Sequence, residues 1–250
     1  MSFISEREVF AMPRFFVENV TGDNVVISGE DAVHIGRSLR MKCGDEITIS
    51  CNGTDYFGVI SKITESQVFC EIRYSAPSES EPDICVTLFQ AVPKADKLEF
   101  IVQKAVELGV NKIVPVLTSR CVSRPDFKGF EKKRQRLQKI AESAAKQSGR
   151  GIIPEVSGII TVEQAAKELS QCDVPIVCYE KGGVSFSQTG LEKGKTVGLF
   201  IGSEGGFEQN EVELCTEKGA VAVTLGKRIL RCETAPLAAL SIIMNLTGNM

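Results

Sequence analysis

Tryptophan is absent from the chain and histidine occurs once, at His34. With one imidazole and no Gly-x-Ser-x-Gly stretch, a serine–histidine–acid hydrolase has no basis. The nine cysteines are scattered without a Cys-x-x-Cys pair, so they offer neither a disulfide framework nor zinc-site spacing. The opening residues carry no secretory signal pattern, and the expectation is a reduced, cytoplasmic protein without metal. Long apolar runs are missing too. The run from Ala235 to Leu246 holds Pro236, Ser241 and Asn245 and is too short to span a bilayer, which fits a buried or subunit-interface helix. No Gly-x-Gly-x-x-Gly is present, which removes the dinucleotide fingerprint. Gly194-Lys-Thr196 is no phosphate loop: the position that needs glycine is Thr189, and the Lys-Thr pair precedes a strand where a phosphate loop would open a helix.

What is present is an ordinary globular composition, 43% hydrophobic and 24% charged over 250 residues, with a net charge of −3. That balance argues against an indiscriminate nucleic-acid coat. The charge is uneven, however. From Arg124 to Arg150 there are nine Lys or Arg and three acids, an asymmetry that suits either a polyanion-binding face or a solvated helix.

The stretch from Thr196 to Pro236 organises the rest. Val197 to Ile201 is a continuous apolar run, as expected of a parallel strand covered on both faces. It leaves through Gly202, Gly205 and Gly206 into a helix with Glu208 and Glu211 in its first turn, where the helix dipole favours acids. Val221 to Leu225 reads as a second buried strand and leaves through Gly226 into a charged cluster, Arg228, Arg231 and Glu233. Two glycine loops at the carboxyl ends of parallel strands predict a ligand crevice, the competing reading being plain tight turns. Upstream, residues 12–75 carry short β-type runs at Arg14–Val17, Asn24–Ile27, Glu46–Ser50, Tyr56–Ile63 and Val68–Tyr74, with a helical stretch at Glu30–Arg40, which predicts a small barrel. The polar segment Ser75–Pro82 reads as a linker. Strands and helices then alternate: strands at Ile84–Ala91, Ile113–Leu117 and Pro175–Tyr179, and helices at Ala95–Leu108, Phe130–Gln147 and Thr161–Leu169. That order implies a parallel sheet.

Ile201-Gly-Ser-Glu-Gly-Gly206 and Leu225-Gly-Lys-Arg-Ile-Leu-Arg-Cys-Glu-Thr-Ala-Pro236 closely resemble the paired signatures of the RsmE family, small-subunit ribosomal RNA uridine-N3 methyltransferases of the SPOUT superfamily. Gln90-Ala-Val-Pro-Lys-Ala-Asp-Lys97 with Gln103–Val110, the basic stretch Arg136–Arg150, and Met12–Phe16 with Glu30–Arg40 resemble that family as well. Ser203 stands where the family usually has Pro, Cys232 where Thr is common and Lys146 where Glu is common.

The resemblance implies an α/β chain in three parts: a PUA-like β-barrel RNA-binding domain over 1–75, a linker over 76–82, and a SPOUT methyltransferase domain over 83–250 whose C-terminal segment forms a trefoil knot. It implies a homodimer that methylates N3 of a uridine in small-subunit (16S) ribosomal RNA, using S-adenosyl-L-methionine held by backbone groups of three loops. On that basis the cofactor residues are Tyr179, Phe200, Ile201, Gly202, Gly205, Gly206, Leu225, Gly226, Ile229, Leu230, Thr234 and Ala235. Arg231 is the candidate for stabilising charge on the uracil oxygens, since a guanidinium stays charged. Glu233 or Glu204 is the candidate proton acceptor if a raised pKa or proximity allows it, the competing role being an ion pair of Glu233 with Arg228 or Arg231. RNA contacts are expected from Arg14, Arg37, Arg40, Lys132, Lys133, Arg134, Arg136 and Arg150. The alternatives are a relative acting on a ribose 2′-hydroxyl or a transfer-RNA base, and a noncatalytic RNA-binding protein.

Overall fold

The computed structural model describes residues 12–126 and 128–250, so the first eleven residues of the expected barrel domain lie outside it. The chain divides into two compact units, 1–81 with 149–152, and 82–148 with 153–250.

The first unit is a five-stranded sheet in the order β1-β3-β4-β5-β2. Its strands are β1 (Arg14–Phe16), β2 (Asn24–Ser28), β3 (Glu46–Cys51), β4 (Thr54–Ile63) and β5 (Gln67–Pro77). The β1–β3 pair is parallel and the others are antiparallel. The pairing runs from β1 to β2 without closing on itself among the described residues, so it is a curled sheet where a barrel was expected. Its core is Phe15, Val25, Ile27, Ile35, Ile47, Ile49, Ile60 and Val68, supplied by alternate strand positions and the helical turn at 30–38. Register shifts between Phe57 and Gly58, where a Cβ would lie 2.4 Å from the Glu71 carbonyl oxygen, so only glycine lets β4 and β5 pair this closely. The helical stretch is α1 (Glu30–Val33) continued by one wider π turn, His34–Ser38.

The expected linker begins inside a strand. Ala76 and Pro77 extend β5 opposite Asp55 and Thr54, and Ser78 N–H donates to the Gly53 carbonyl at 2.8 Å. Residues 79–81 are turn and bend, as the polar, proline-bearing composition of a connecting segment leads one to expect.

The second unit is built on a parallel sheet in the order β12-β10-β11-β6-β7-β8, with β9 also paired to β7. The strands are β6 (Cys85–Ala91), β7 (Lys112–Leu117), β8 (Glu155–Val156), β9 (Ile160–Thr161), β10 (Val174–Cys178), β11 (Thr196–Ile201) and β12 (Val221–Val223). The helices are α2 (Lys97–Glu107), α3 (Phe130–Gln147), α4 (Val162–Leu169), α5 (Gln209–Glu217) and α6 (Ala235–Leu246). Gly109 ends the α2 turn with φ +87°. Between β11 and β6 the order of strands reverses, the position at which open α/β sheets leave a crevice. Phe89, Phe200 and Phe207 stack edge-on beneath it, Phe200–Phe207 at 4.8 Å between ring centres. Each such ring contributes roughly 1.5–3 kcal/mol by burial, enough to fix the strand ends from which the loops leave. None of the helices among the described residues is long and apolar enough to cross a membrane.

Candidate functional site

A cleft of about 440 Å³ opens at the carboxyl ends of β10, β11 and β12, within the usual range of roughly 300–1,000 Å³ for small-molecule sites. Three loops line it: 178–180 after β10, 202–207 after β11, and 224–232 after β12. Of the expected cofactor residues, Tyr179, Gly202, Gly205, Gly206, Leu225, Gly226, Ile229 and Leu230 do line it. Phe200 and Ile201 do not. They are 0% and 2% exposed and belong to the hydrophobic core, because both faces of β11 are covered. Thr234 and Ala235 lie past the lining, at the start of α6. β12 stops at Val223, two residues earlier than expected, and this releases Thr224 and Leu225 into the wall.

The loop after β11 is held firmly. Gly206 N–H donates to the Ser203 carbonyl at 2.9 Å, closing a tight turn with Gly206 at φ +67°. A Cβ on Gly206 would lie 2.7 Å from Glu180 Oε1, so side chain and backbone both select glycine there. Arg120 clamps the outside: its Nη1 donates to the Gly205 carbonyl at 2.8 Å while Nε and Nη2 grip Glu208 at 2.9 and 3.2 Å. That two-pronged bond holds the Glu208 carboxyl below its usual range and raises Arg120. Glu208 and Glu211 form a reciprocal cap on α5, and Glu211 also accepts Ser119 N–H at 2.7 Å. Arg120 escaped the sequence reading because no local pattern marks a residue whose partners sit over eighty positions away.

The loop after β12 is built differently. Thr224 Oγ accepts Gly226 N–H at 3.2 Å, but the backbone N–H groups of residues 227–232 donate no hydrogen bond among the described residues. Ser203 Oγ, on the cleft wall, is buried and also without a partner among the described residues. Unspent donors beside a cavity are what a polar ligand satisfies. Glycines, spare backbone donors and apolar Leu225 and Leu230 fit an adenosyl group, while Glu180 and Glu204 fit its cationic end. No group of three His, Cys, Asp or Glu side chains among the described residues is placed to hold a metal.

Charge on the wall is arranged around Lys97, which the sequence reading did not single out as a site residue. Its Nζ lies 3.2 Å from Glu204 Oε1 and 3.1 Å from Glu233 Oε2. Glu233 therefore pairs with Lys97 and not with Arg228 or Arg231. Burial pushes both carboxyls upward, but hydrogen bonds outweigh it: own-backbone, Lys94 and Lys97 donors for Glu204, and Cys232, own-backbone and Lys97 donors for Glu233. Both end below the usual range, so of the two routes to a proton acceptor, a raised pKa and proximity, the first is not found. The same two carboxylates, Glu233 foremost, raise Lys97. Desolvation, followed by the bond to Glu233, pushes the Cys232 thiol up to about 12. Arg231 is exposed, and its guanidinium has neither ion-pair nor hydrogen-bond partner among the described residues.

The basic residues expected on RNA separate into two sets. Arg14 is withdrawn into its own unit, donating to Asp55 at 2.5 Å and Ser50 at 2.8 Å. Arg150 is 2% exposed and grips Glu81 at 2.9 and 2.6 Å. Arg134 is paired with Glu131, and Arg136 with Glu99. Arg37, Arg40 and Lys132 are exposed and Lys133 half-buried, with no side-chain ion pair among the described residues. Sequence gives the charges but not where Asp55 and Glu81 fall, so the buried arginines looked like surface ones. His34 lies on the surface, its ring centre 6.3 Å from that of Phe15.

Comparison with known proteins agrees with this layout. Residues 80–244 match the RNA methyltransferase domain family and residues 27–73 the RNA methyltransferase PUA domain family. The ribosomal RNA small subunit methyltransferase E of Bacillus subtilis is 37% identical over 248 residues, covering 93% of this chain and 96% of that protein. The protein of the same name from Buchnera aphidicola is 31% identical, covering 96% and 98%. A crystal structure of ribosomal RNA small subunit methyltransferase E from Neisseria gonorrhoeae bound to S-adenosyl methionine superposes with a TM-score of 0.84 at 31% identity, covering 94% of this chain and 98% of that one. With two domain families matched in order and relatives aligned nearly end to end, the chain belongs to the RsmE family of RNA methyltransferases.

Proposed function

We propose that the protein methylates N3 of a uridine in small-subunit ribosomal RNA, drawing the methyl group from S-adenosylmethionine. The observation that carries this reading is the cleft after β10, β11 and β12, where a clamped glycine loop faces a loop with six unspent backbone donors. When bound, the cofactor supplies an electrophilic methyl group on a sulfonium. The glycine loop and residues 225–232 hold the adenosyl group by main-chain bonds, so affinity depends little on side-chain identity there. Uridine N3 carries a proton at neutral pH and lies on the base-pairing edge, so the base must be exposed before it reacts. Arg231, charged and unpaired, donates to a uracil oxygen as negative charge develops there. Glu204 and Glu233 start ionised, and one of them takes the single N3 proton by proximity, without a raised pKa, and becomes the neutral acid. Holding N3 in line with the methyl group then supplies much of the rate.

Arg37 and Arg40 on the first unit, with Lys132 and Lys133 on α3, contact RNA phosphates. The reading carries with it a C-terminal trefoil knot, supported by the return of the chain from edge strand β12 to pair Glu233 with Lys97 at the start of α2. α6 buries Pro236, Ala239, Leu240, Ile243 and Met244 in its own unit and leaves Ile242 and Leu246 exposed, an apolar stripe that suits a homodimer. The protein works in the cytoplasm, where its substrate is assembled.

The test is incubation with labelled S-adenosylmethionine and unmodified small ribosomal subunits, followed by nuclease digestion and mass spectrometry. Label on N3 of one uridine is expected. Label on a ribose, or in transfer RNA alone, overturns the assignment.

A further inference from the structure

Lys97 stands at the first position of α2, yet its ammonium makes no bond along the helix. It reaches Glu204 in the glycine loop and Glu233 in the segment before α6, at 3.2 and 3.1 Å. The Cys232 thiol lies 3.7 Å away on the same side. The turn that presents Lys97 is itself unusual: Ala95 sits at φ +52°, a left-handed conformation that costs a non-glycine residue about 1–3 kcal/mol. Such strain persists only where neighbouring bonds hold it, and Lys94 N–H donates to Glu204 Oε1 at 3.0 Å. Asp96 and Glu99, the other acids of this turn, face Arg136 and leave Lys97 to the cleft. Three segments distant in sequence thus converge on one ammonium, and two of them are the walls of the cofactor cleft.

We infer that Lys97 is a positioning residue, a clasp that draws the glycine loop and the 225–234 segment together by holding Glu204 and Glu233 on one cation, and so sets affinity for the cofactor. The inference rests on the methyltransferase reading. One ammonium between two carboxylates leaves a net negative charge, which a sulfonium tolerates. Without the ammonium, two like charges face each other across the cleft and push the loops apart. In the intact clasp the lysine is raised and the carboxyls are lowered. Its bonds are therefore complete below the ordinary lysine range and above the ordinary carboxylate range, and cofactor affinity is flat between about pH 5.5 and pH 8.5.

The test is calorimetric titration of S-adenosylmethionine into wild type, Lys97→Met, Lys97→Arg and the double variant Lys97→Met with Glu204→Gln. Lys97→Met is expected to bind roughly tenfold more weakly at about pH 8 and to recover toward wild type near pH 5.5, where protonation relieves the repulsion. Lys97→Arg keeps the charge and stays within about threefold of wild type, and the double variant loses the pH dependence. Because Lys97 is 30% exposed, the single variants keep the fold, which thermal melting checks. Affinity unchanged in Lys97→Met, or weakened equally at every pH, overturns the clasp while leaving the methyltransferase reading intact. Absence of binding by wild type instead removes the reading on which the clasp rests.

Discussion

Two glycine loops leave parallel strands on either side of β10, yet they are held in opposite ways. The loop after β11 is closed by its own turn, its carbonyls at Gly202 and Gly205 accept bonds from Gln90 and Arg120, and Glu204 is tied to Lys94. The loop after β12 offers a row of unused N–H groups, and Ile229 stands 86% exposed at its crest. One wall of the cleft is finished without a ligand, and on the proposed reading the other is completed by one. A preformed half lowers the ordering cost of binding, while an open half admits and releases a large cofactor.

The contrast breaks most completely at Gly206. Gly206→Val must hold a branched side chain at positive φ against Glu180, and it is expected to lose about 1–3 kcal/mol of stability and at least a hundredfold in cofactor affinity, read by chemical denaturation and calorimetry. Arg231→Ala removes a charge from the open loop that nothing else uses. It should lower kcat by about 100- to 1,000-fold with cofactor Kd unchanged, in single-turnover methylation of the subunit. Arg120→Ala unclamps the finished wall from outside, and roughly tenfold weaker cofactor binding is expected with little change in kcat for bound substrate. The smallest effect is at Ile229: Ile229→Ala should shift stability by less than about 0.5 kcal/mol, in a thermal melt, because the side chain buries almost nothing.

Much of the finished wall was legible in the sequence. Apolar runs fixed β11, and glycines with Glu208 and Glu211 marked the turn and the capped helix, because strand and cap signals are local. The parallel sheet followed from strand–helix alternation. The clamps were not legible. Arg120 and Lys97 act on residues 85 and 107 or more positions away, and no local pattern of charge or spacing shows which acids they meet. The same blindness made Arg14 and Arg150 look like RNA contacts and Glu233 a partner for the nearest arginines. Composition reports that charges exist, and only the fold reports which of them meet.

Hydrogen exchange of the backbone, with and without S-adenosylmethionine, reads the two loops most directly. The amides of residues 227–232 should exchange freely in the apoprotein and become strongly protected on binding, with a smaller change at Gly206, whose N–H is already bonded. Protection unchanged across 227–232 at saturating cofactor would contradict the claim that this loop closes the site.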